Sequence, residues 1–275
     1  MKYTWIGLAL LVVSNQVLAK TRIVTLAPHL TEWIYSLELE SQLVAVSAFS
    51  DYPAAASALP VVADYQGVDF TALMALEPDL ILAWGGGNKP QDIARLKSLG
   101  FDVFVSQPKT LDDIATELSA LAAKLDKAEL ARQLTQQYRA QLQSIQSLYA
   151  HSQPVSVFYY MWQQPLMTIG ADAWANQALS LCRAEHIFND SPIDYPQVTV
   201  RQVVARQPEL LVAASDQSEE ALTAFWQSHG ALIQAPLIRA NANALHRFSL
   251  RIVPAIGELC ERIDSVREKT INQQR

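Results

Sequence analysis

DKAELARQLTQQYRAQLQSIQSLYAH, residues Asp126 to His151, contains no glycine and no proline. Its apolar residues Leu130, Leu134, Tyr138, Leu142, Ile145 and Leu148 recur every three or four positions. That is the period of one helical face, so the stretch predicts a single helix of about seven turns. Asp126 stands where an N-cap accepts from the first free amides, and Pro154 lies just past the far end. A glycine- and serine-rich linker lets two flanking bodies swing, whereas an unbroken helix holds them apart stiffly. The expectation is two bodies on a rod, moving little relative to one another.

On both sides of the rod, short β-rich runs alternate with amphipathic ones. Before it, Ile23–Leu26, Val44–Ser47, Asp79–Trp84 and Phe101–Val105 read as strands. Thr31–Leu37, Phe70–Leu76, Pro90–Leu99 and Leu111–Leu125 read as the helices among them. After it, strands are expected at Val155–Tyr160, Glu209–Ala213 and Ala244–Phe248. The helices there are Ala173–Cys182, Arg201–Arg206, Glu219–His229 and Val253–Ile271. Such alternation builds parallel sheets with crossover helices. The fold class is therefore α/β: two Rossmann-like lobes, residues 20–125 and 152–275, joined by a single long α-helix at 126–151.

The lobes repeat one another. DYQGVDFTALMALEPDL (Asp64–Leu80) aligns without a gap on DYPQVTVRQVVARQPEL (Asp194–Leu210), at a constant offset of 130. Asp64, Tyr65, Val68, Ala75, Pro78 and Leu80 find identical residues, and several other positions exchange one aliphatic side chain for another. Each copy reads as a loop with an exposed Tyr, a short helix, a Pro-acid stop and an apolar strand. Duplication explains an ungapped register better than chance. If the lobes are pseudo-symmetric about a groove, Tyr65 and Tyr195 face each other from opposite walls.

The first 19 residues stand apart. Lys2 supplies a positive start, Ile6 to Val13 is an apolar run, and Val17-Leu18-Ala19 places small residues where a signal peptidase cuts. A secretory signal cleaved near Ala19, and hence a periplasmic location, is expected. Lys20 follows the cut rather than the Cys a lipoprotein needs. What remains suffices for two lobes of roughly 100–150 residues each. The formal charge of −6, with no long basic run, argues against nucleic acid as a partner. The two cysteines, Cys182 and Cys260, are either a disulfide or two buried thiols, and an oxidising compartment favours the bridge.

Catalytic chemistry finds no foothold. A Gly-x-Ser-x-Gly elbow is lacking, and Asp112-Asp113 and Glu219-Glu220 are neighbours on solvated helix starts rather than opposed acids. A secreted hydrolase, the alternative of a different class, has no acid–base group to nominate. Gly85-Gly86-Gly87-Asn88-Lys89 lacks the ending and spacing of a phosphate loop, and reads as a loop that lets backbone approach a ligand. The five histidines form no close pair, so no metal site is assigned, although His29 and His246 are candidates to reach the metal of a bound macrocycle.

Several stretches resemble the cobalamin-binding proteins that serve vitamin-import ABC transporters. They are Ile23 to Pro28, Ser47-Ala48-Phe49-Ser50-Asp51-Tyr52-Pro53, Tyr65-Gln66-Gly67, Ala75 to Asn88, Asn176-Gln177, Glu185 to Phe188, Tyr195 to Val198 and Arg251-Ile252. The Ala-Leu-x-Pro-Asp-Leu block is shared with haem and siderophore binders; the Ala-Trp-x-Gly-Gly-Asn and Ser-Asp-Tyr-Pro blocks are more specific. The resemblance implies the class III periplasmic binding protein fold, like the helical backbone metal receptors. It implies no enzyme activity and no cofactor, with cobalamin as transported ligand. It further implies a monomer delivering to the permease and ATPase subunits of an ABC importer. Haem or a ferric siderophore is the alternative ligand.

Carried over by position, the resemblance puts Phe49, Tyr65 and Trp84 of the first lobe at the ligand. In the second lobe it does so for the Met161-Trp162 turn, Tyr195 and the loop Asn243-Ala244-Leu245-His246-Arg247. Cys182 and Cys260 match the family's disulfide. Three departures follow. Phe49 lacks the hydroxyl of the family's Tyr, Asn243 and His246 replace acidic residues, and the two outer-face Glu residues that dock the membrane subunits are here Thr71 and Arg201. Asp69 lies close enough to substitute for the first of them. The chemistry is coherent: a broad, flat, amide-rimmed macrocycle calls for a wide groove with rigid aromatic walls and a few placed polar groups.

Overall fold

Strand β1 (Ile23–Thr25) is buried along its whole length, and its side chains part to opposite faces. Ile23 enters one apolar cluster and Val24 another. That two-sided burial is what a parallel sheet covered on both faces requires. The computed structural model describes residues 20–230 and 232–274, the side chains of 270–274 excepted. The expected signal peptide, residues 1–19, lies outside them.

After β1 come α1 (Pro28–Ser36), β2 (Leu43–Ser47), β3 (Val61–Asp64), β4 (Gly67–Val68), α2 (Phe70–Ala75), β5 (Leu80–Trp84), α3 (Pro90–Ser98), β6 (Val103–Ser106) and α4 (Leu111–Lys124). Helix α5 (Ala128–Tyr149) leads to β7 (Val155–Gln163), β8 (Leu166–Thr168), α6 (Ala175–Leu181), β9 (Ala184–His186), α7 (Val200–Ala205) and β10 (Leu210–Ala214). The chain ends with α8 (Glu219–Gln227), β11 (Leu237–Ala240), α9 (Ala242–Leu245) and α10 (Ile252–Gln274). The first sheet runs β4-β3-β2-β1-β5-β6, parallel except for β4. The second runs β11-β10-β7-β8, with β9 also on β7 and only β8 antiparallel. The α/β fold with two sheets and a connecting helix agrees with the sequence reading.

The repeat is physical as well as textual. Glu77 and Gln207, 130 apart, are both left-handed, with φ of 44° and 48°. Next to them, Asp79 accepts from the Arg22 amide and Glu209 from the Ser156 amide, each at 2.7 Å. Asp69 caps α2 and Thr199 caps α7, again at the same offset. Leu80 and Leu82 face the same cluster as Leu210 and Val212, while Ile81 and Ala83 turn away, as do Leu211 and Ala213.

That common cluster spans both sheets. It takes in Leu30 and Trp33 of α1, Leu118 of α4, Tyr138 of α5, Leu179 of α6 and Ile256 of α10. Fully burying a side chain of this size is worth about 1.5–3 kcal/mol, so the helical layer welds the two sheets together. The Tyr138 hydroxyl donates to the Leu111 carbonyl at 2.8 Å, and Gln177 of α6 bonds both Leu111 and Lys109, pinning the second lobe to the start of α4.

Four expectations need correction. Asp126 does not cap α5: it is left-handed at φ 56°, and the N-cap is Lys127 without a side-chain bond. Leu148 is 73% exposed, and Tyr149 takes the inward place at that end. The stretch Ala244–Phe248 is no strand; Asn241 caps helix α9 there by accepting from the Ala244 amide, and the edge strand is β11 instead. The short strands β3, β4, β8 and β9 were not anticipated, their runs being too brief for a period-two signal.

Cys182 and Cys260 are bridged across a sequence separation of 78, fastening α6 to α10. A loop of that length is worth about 4 kcal/mol in the chain-entropy view. Replacing both by Ser should lower the unfolding free energy by about 2–4 kcal/mol, read from urea denaturation in oxidising buffer. An unchanged midpoint would mean the bridge adds nothing to the shared core.

Candidate functional site

In both sheets the carboxyl ends of the strands open into one cavity of about 1130 Å³ between the lobes. Pro28 and His29 follow β1, and Trp84 ends β5; these adjacent strands flank the point where the sheet order reverses. Such a switch point leaves a crevice above the strand ends. From the other lobe, Met161 and Trp162 come off β7, Ala214 to Gln217 off β10, and Ala242, Asn243 and His246 to Phe248 from α9 and its exit. Met167 and Tyr195 complete the wall. The volume exceeds the usual range of about 300–1,000 Å³ for small-molecule pockets.

Trp84 is set by its own loop. Its amide donates to the Asn88 side-chain carbonyl at 2.7 Å, and the Asn88 amide group donates to the Leu26 carbonyl at 2.8 Å. The indole folds back over the following glycines. A Cβ on Gly87 would stand 2.0 Å from Trp84 Cε3, so the glycine run makes room for this ring, where the sequence suggested close approach of a ligand. Trp84 meets His29 and Phe248 edge-on, at 5.5 and 5.9 Å between ring centroids.

Tyr195 is held from below. The Gly170 amide donates to the Asp194 carbonyl at 2.8 Å and the Thr168 amide to that of Pro196 at 3.1 Å. A Cβ on Gly170 would lie 1.8 Å from the Ile193 carbonyl oxygen, so only glycine lets the loop come this close. Trp162, near the end of β7, stays 65% exposed and free to receive a flat ring.

Two histidines of the lining are buried and neutral. Burial, reinforced by the Arg247 charge, pushes His29 down to about 3. Burial takes His246 to about 4 despite the opposing pull of Asp216. His246 Nε2 shares a 2.8 Å hydrogen bond with the Tyr159 hydroxyl, whose own pKa burial raises. Arg247 crosses the cleft, donating from Nη1 to Asp51 at 2.6 Å and Glu32 at 3.2 Å, and from Nη2 to the Phe49 carbonyl at 2.9 Å. The Asp51 carboxyl is held below its ordinary value by that bond.

Trp84, Trp162, Tyr195, Asn243, His246 and Arg247, all named from sequence, line the cavity. Phe49 and Tyr65 do not. They are 76% and 82% exposed, so Tyr65 stands outside the wall that Tyr195 belongs to. Ala244 and Leu245 turn into the core, because α9 faces them inward. His29, named only as a candidate to reach a macrocycle's metal, joins the wall, and Pro28, Met167, Phe248 and residues 214–217 were missed. The repeat held the last of these: continued past Leu80 and Leu210, the same offset sets Ala214 to Gln217 opposite Trp84 to Gly87. Thr71 and Arg201 are exposed at equivalent points of α2 and α7, while Asp69 spends one carboxylate oxygen on the α2 cap. Among the described residues no three His, Cys, Asp or Glu converge as a metal site.

Two α/β lobes facing each other strand-end to strand-end, with an aromatic and apolar cleft between, define a solute-binding protein. Residues 23–231 match the periplasmic binding protein family, and the chain belongs to it. A curated vitamin B12-binding protein of Yersinia pestis is 38% identical over 249 residues, 90% of this chain and 88% of its own. The crystal structure of the periplasmic vitamin B12-binding protein BtuF of Vibrio cholerae superposes with a TM-score of 0.81 at 36% identity, covering 89% of this chain and 97% of that one. A solved periplasmic haem-binding protein, BhuT with two haems, gives a TM-score of 0.78 at 20% identity over 90% and 98% of the chains, a likeness of fold alone.

Gly87→Ala should force the Trp84 indole off its loop, shifting tryptophan emission while leaving far-ultraviolet dichroism intact; unchanged emission would contradict the packing. The histidines give a pH signature. His29, His186 and His246 have folded-state values of about 3, about 4 and about 4, below the ordinary 6.5. The unfolded chain therefore binds more protons than the native one below about pH 6.5. Their contribution is full above that pH and is lost as pH falls toward 4. Urea midpoints should drop between about pH 7 and about pH 5, less steeply in His246→Gln. Equal slopes would show that His246 titrates alike in both states.

Proposed function

We propose that the protein captures cobalamin in the inter-lobe cleft and carries it to an inner-membrane ABC importer. The observation that carries this reading is the aromatic cavity of about 1130 Å³ with walls from both lobes, found in a chain that shares 36–38% identity with vitamin B12-binding proteins. Trp84, Trp162 and Tyr195 supply rigid faces for a flat macrocycle, losing little rotamer freedom when they order. Asn243, Gln217 and the free N–H groups of Arg247 suit its rim of amides. Phe49 and Tyr65 then serve only parts of the ligand that protrude from the cleft.

The protein is a carrier and not an enzyme: its task is reversible binding, with cobalamin leaving as it arrived. Secretion runs through residues 1–19 with a cut near Ala19, and the carrier acts as a monomer. The partners are the importer's permease and ATPase subunits. Thr71 and Arg201, at matched points on the two lobes, fall in the docking face, so a permease that receives them carries contacts other than those that receive two glutamates.

Titration calorimetry with cyanocobalamin, haem and a ferric siderophore in parallel tests the ligand. A one-to-one cobalamin complex is expected, and tight haem binding without a cobalamin signal would reverse the assignment. Trp84→Ala should weaken cobalamin binding by about 2 kcal/mol, roughly thirtyfold. Full affinity in that variant would remove Trp84 from the site.

A further inference from the structure

Glu32 belongs to α1 of the first lobe, yet every polar partner of its carboxylate lies in the second. Oε1 accepts from Arg247 Nη1 at 3.2 Å and Arg251 Nη2 at 2.6 Å, and Oε2 from Ser249 at 2.5 Å and Arg251 Nε at 3.1 Å. The side chain is 3% exposed. Its three partners come from one short segment, Asn243 to Arg251, which also places Asn243, His246 and Phe248 in the cavity wall. Arg251 reaches back to the Asn243 carbonyl at 3.4 Å and lies 3.9 Å from the centre of the Tyr52 ring. Trp33, the residue after Glu32, donates to the Phe248 carbonyl at 2.8 Å. The wall segment is thus tied at four of its residues, Arg247, Phe248, Ser249 and Arg251, to the opposite lobe.

Arg247 is the joint. Its guanidinium has five N–H groups. Glu32, Asp51 and the Phe49 carbonyl take three, which leaves one Nη2 hydrogen and the Nε hydrogen for a guest. Where those two groups stand is set jointly by the first-lobe acceptors Glu32, Asp51 and the Phe49 carbonyl.

We propose that Glu32 is a positioning residue for ligand capture, which aims the ligand-facing segment 243–251 of the second lobe from the first. The sequence gives no direct sign of it, since Glu32 and its three partners lie more than 200 positions apart. Neutralising this buried carboxylate would leave Arg251 without its ionic partner and Arg247 with only the half-exposed Asp51. Glu32 is the one acceptor that three residues of the segment share, so loosening it frees the wall before it unfolds either lobe.

The proposal rests on the cobalamin reading only for its ligand measurement. Glu32→Gln keeps the size and an acceptor but removes the charge. Its affinity for cyanocobalamin should fall about tenfold or more, chiefly through faster release, with unchanged far-ultraviolet dichroism. Combined with Arg247→Lys, the two losses should fail to add, because Glu32 acts through that guanidinium. The second measurement needs no ligand: spin labels at Thr71→Cys and Arg201→Cys, one on each lobe, should show a broader distance distribution when Glu32→Gln is added. If that variant does not fold, Ser249→Ala removes one donor and should move both readouts the same way by less. Unchanged affinity together with an unchanged distance distribution, or additive losses in the double variant, would overturn the proposal. A wild-type protein that ignores cyanocobalamin would overturn the ligand assignment instead, and the spin-label distances would still decide on Glu32.

Discussion

Two parallel sheets share one apolar layer, and the rest of the molecule depends on that. Leu82 of the first sheet and Val212 of the second belong to the same cluster, joined through Leu118, Tyr138, Leu179 and Ile256 of the intervening helices. Parallel strands end in exposed loops, so two sheets welded side by side leave their carboxyl ends facing a common gap. A cleft then exists without any residue being selected to make one. What selection must supply is the lining, and the lining sits where the backbone already delivers side chains: Trp84 at the end of β5, Met161 and Trp162 near the end of β7, Ala214 at the end of β10.

This is also why so much was legible in advance. Burial on both faces of a parallel strand writes itself as an unbroken apolar run, and Leu80–Trp84 and Leu210–Ala214 are such runs. Duplication wrote the same plan twice, so the repeat at an offset of 130 marks the equivalent strand, helix and stop in both lobes. Features decided by tertiary contact were not legible. Ala244–Phe248 has the composition of a strand, but Asn241 captures the Ala244 amide and turns the chain into a helix. Asp126 has the chemistry of a cap, yet its backbone is left-handed, and Lys127 occupies the boundary. Phe49 and Tyr65 carry the right rings, but position in a family pattern does not say which way a loop leans.

The electrostatics of the cleft follow from its dryness. His29 and His246 are held neutral mainly by burial, so these two side chains present polar atoms without fixed charge to the cleft. Four charges are gathered at one side, in Glu32, Asp51, Arg247 and Arg251, and Asp216 stands apart in the second-lobe wall, accepting from Asn243. Separating them in this way keeps the apolar faces free of the desolvation cost that an unpaired ion there would impose.

An apolar contact at that side would join the lobes as firmly, and no burial argument favours ions: replacing buried ion pairs by packed hydrophobic groups is often neutral or stabilising. Geometry is where the ionic solution differs. Apolar side chains slide over one another at little cost, whereas a carboxylate accepting four directed bonds tolerates only one placement of its donors. A carrier that must present Arg247, His246 and Phe248 at a fixed separation from Trp84 gains from that intolerance. Its two rigid bodies are welded by hydrophobic area at the helical layer, and are aligned by hydrogen-bond direction where the guest enters.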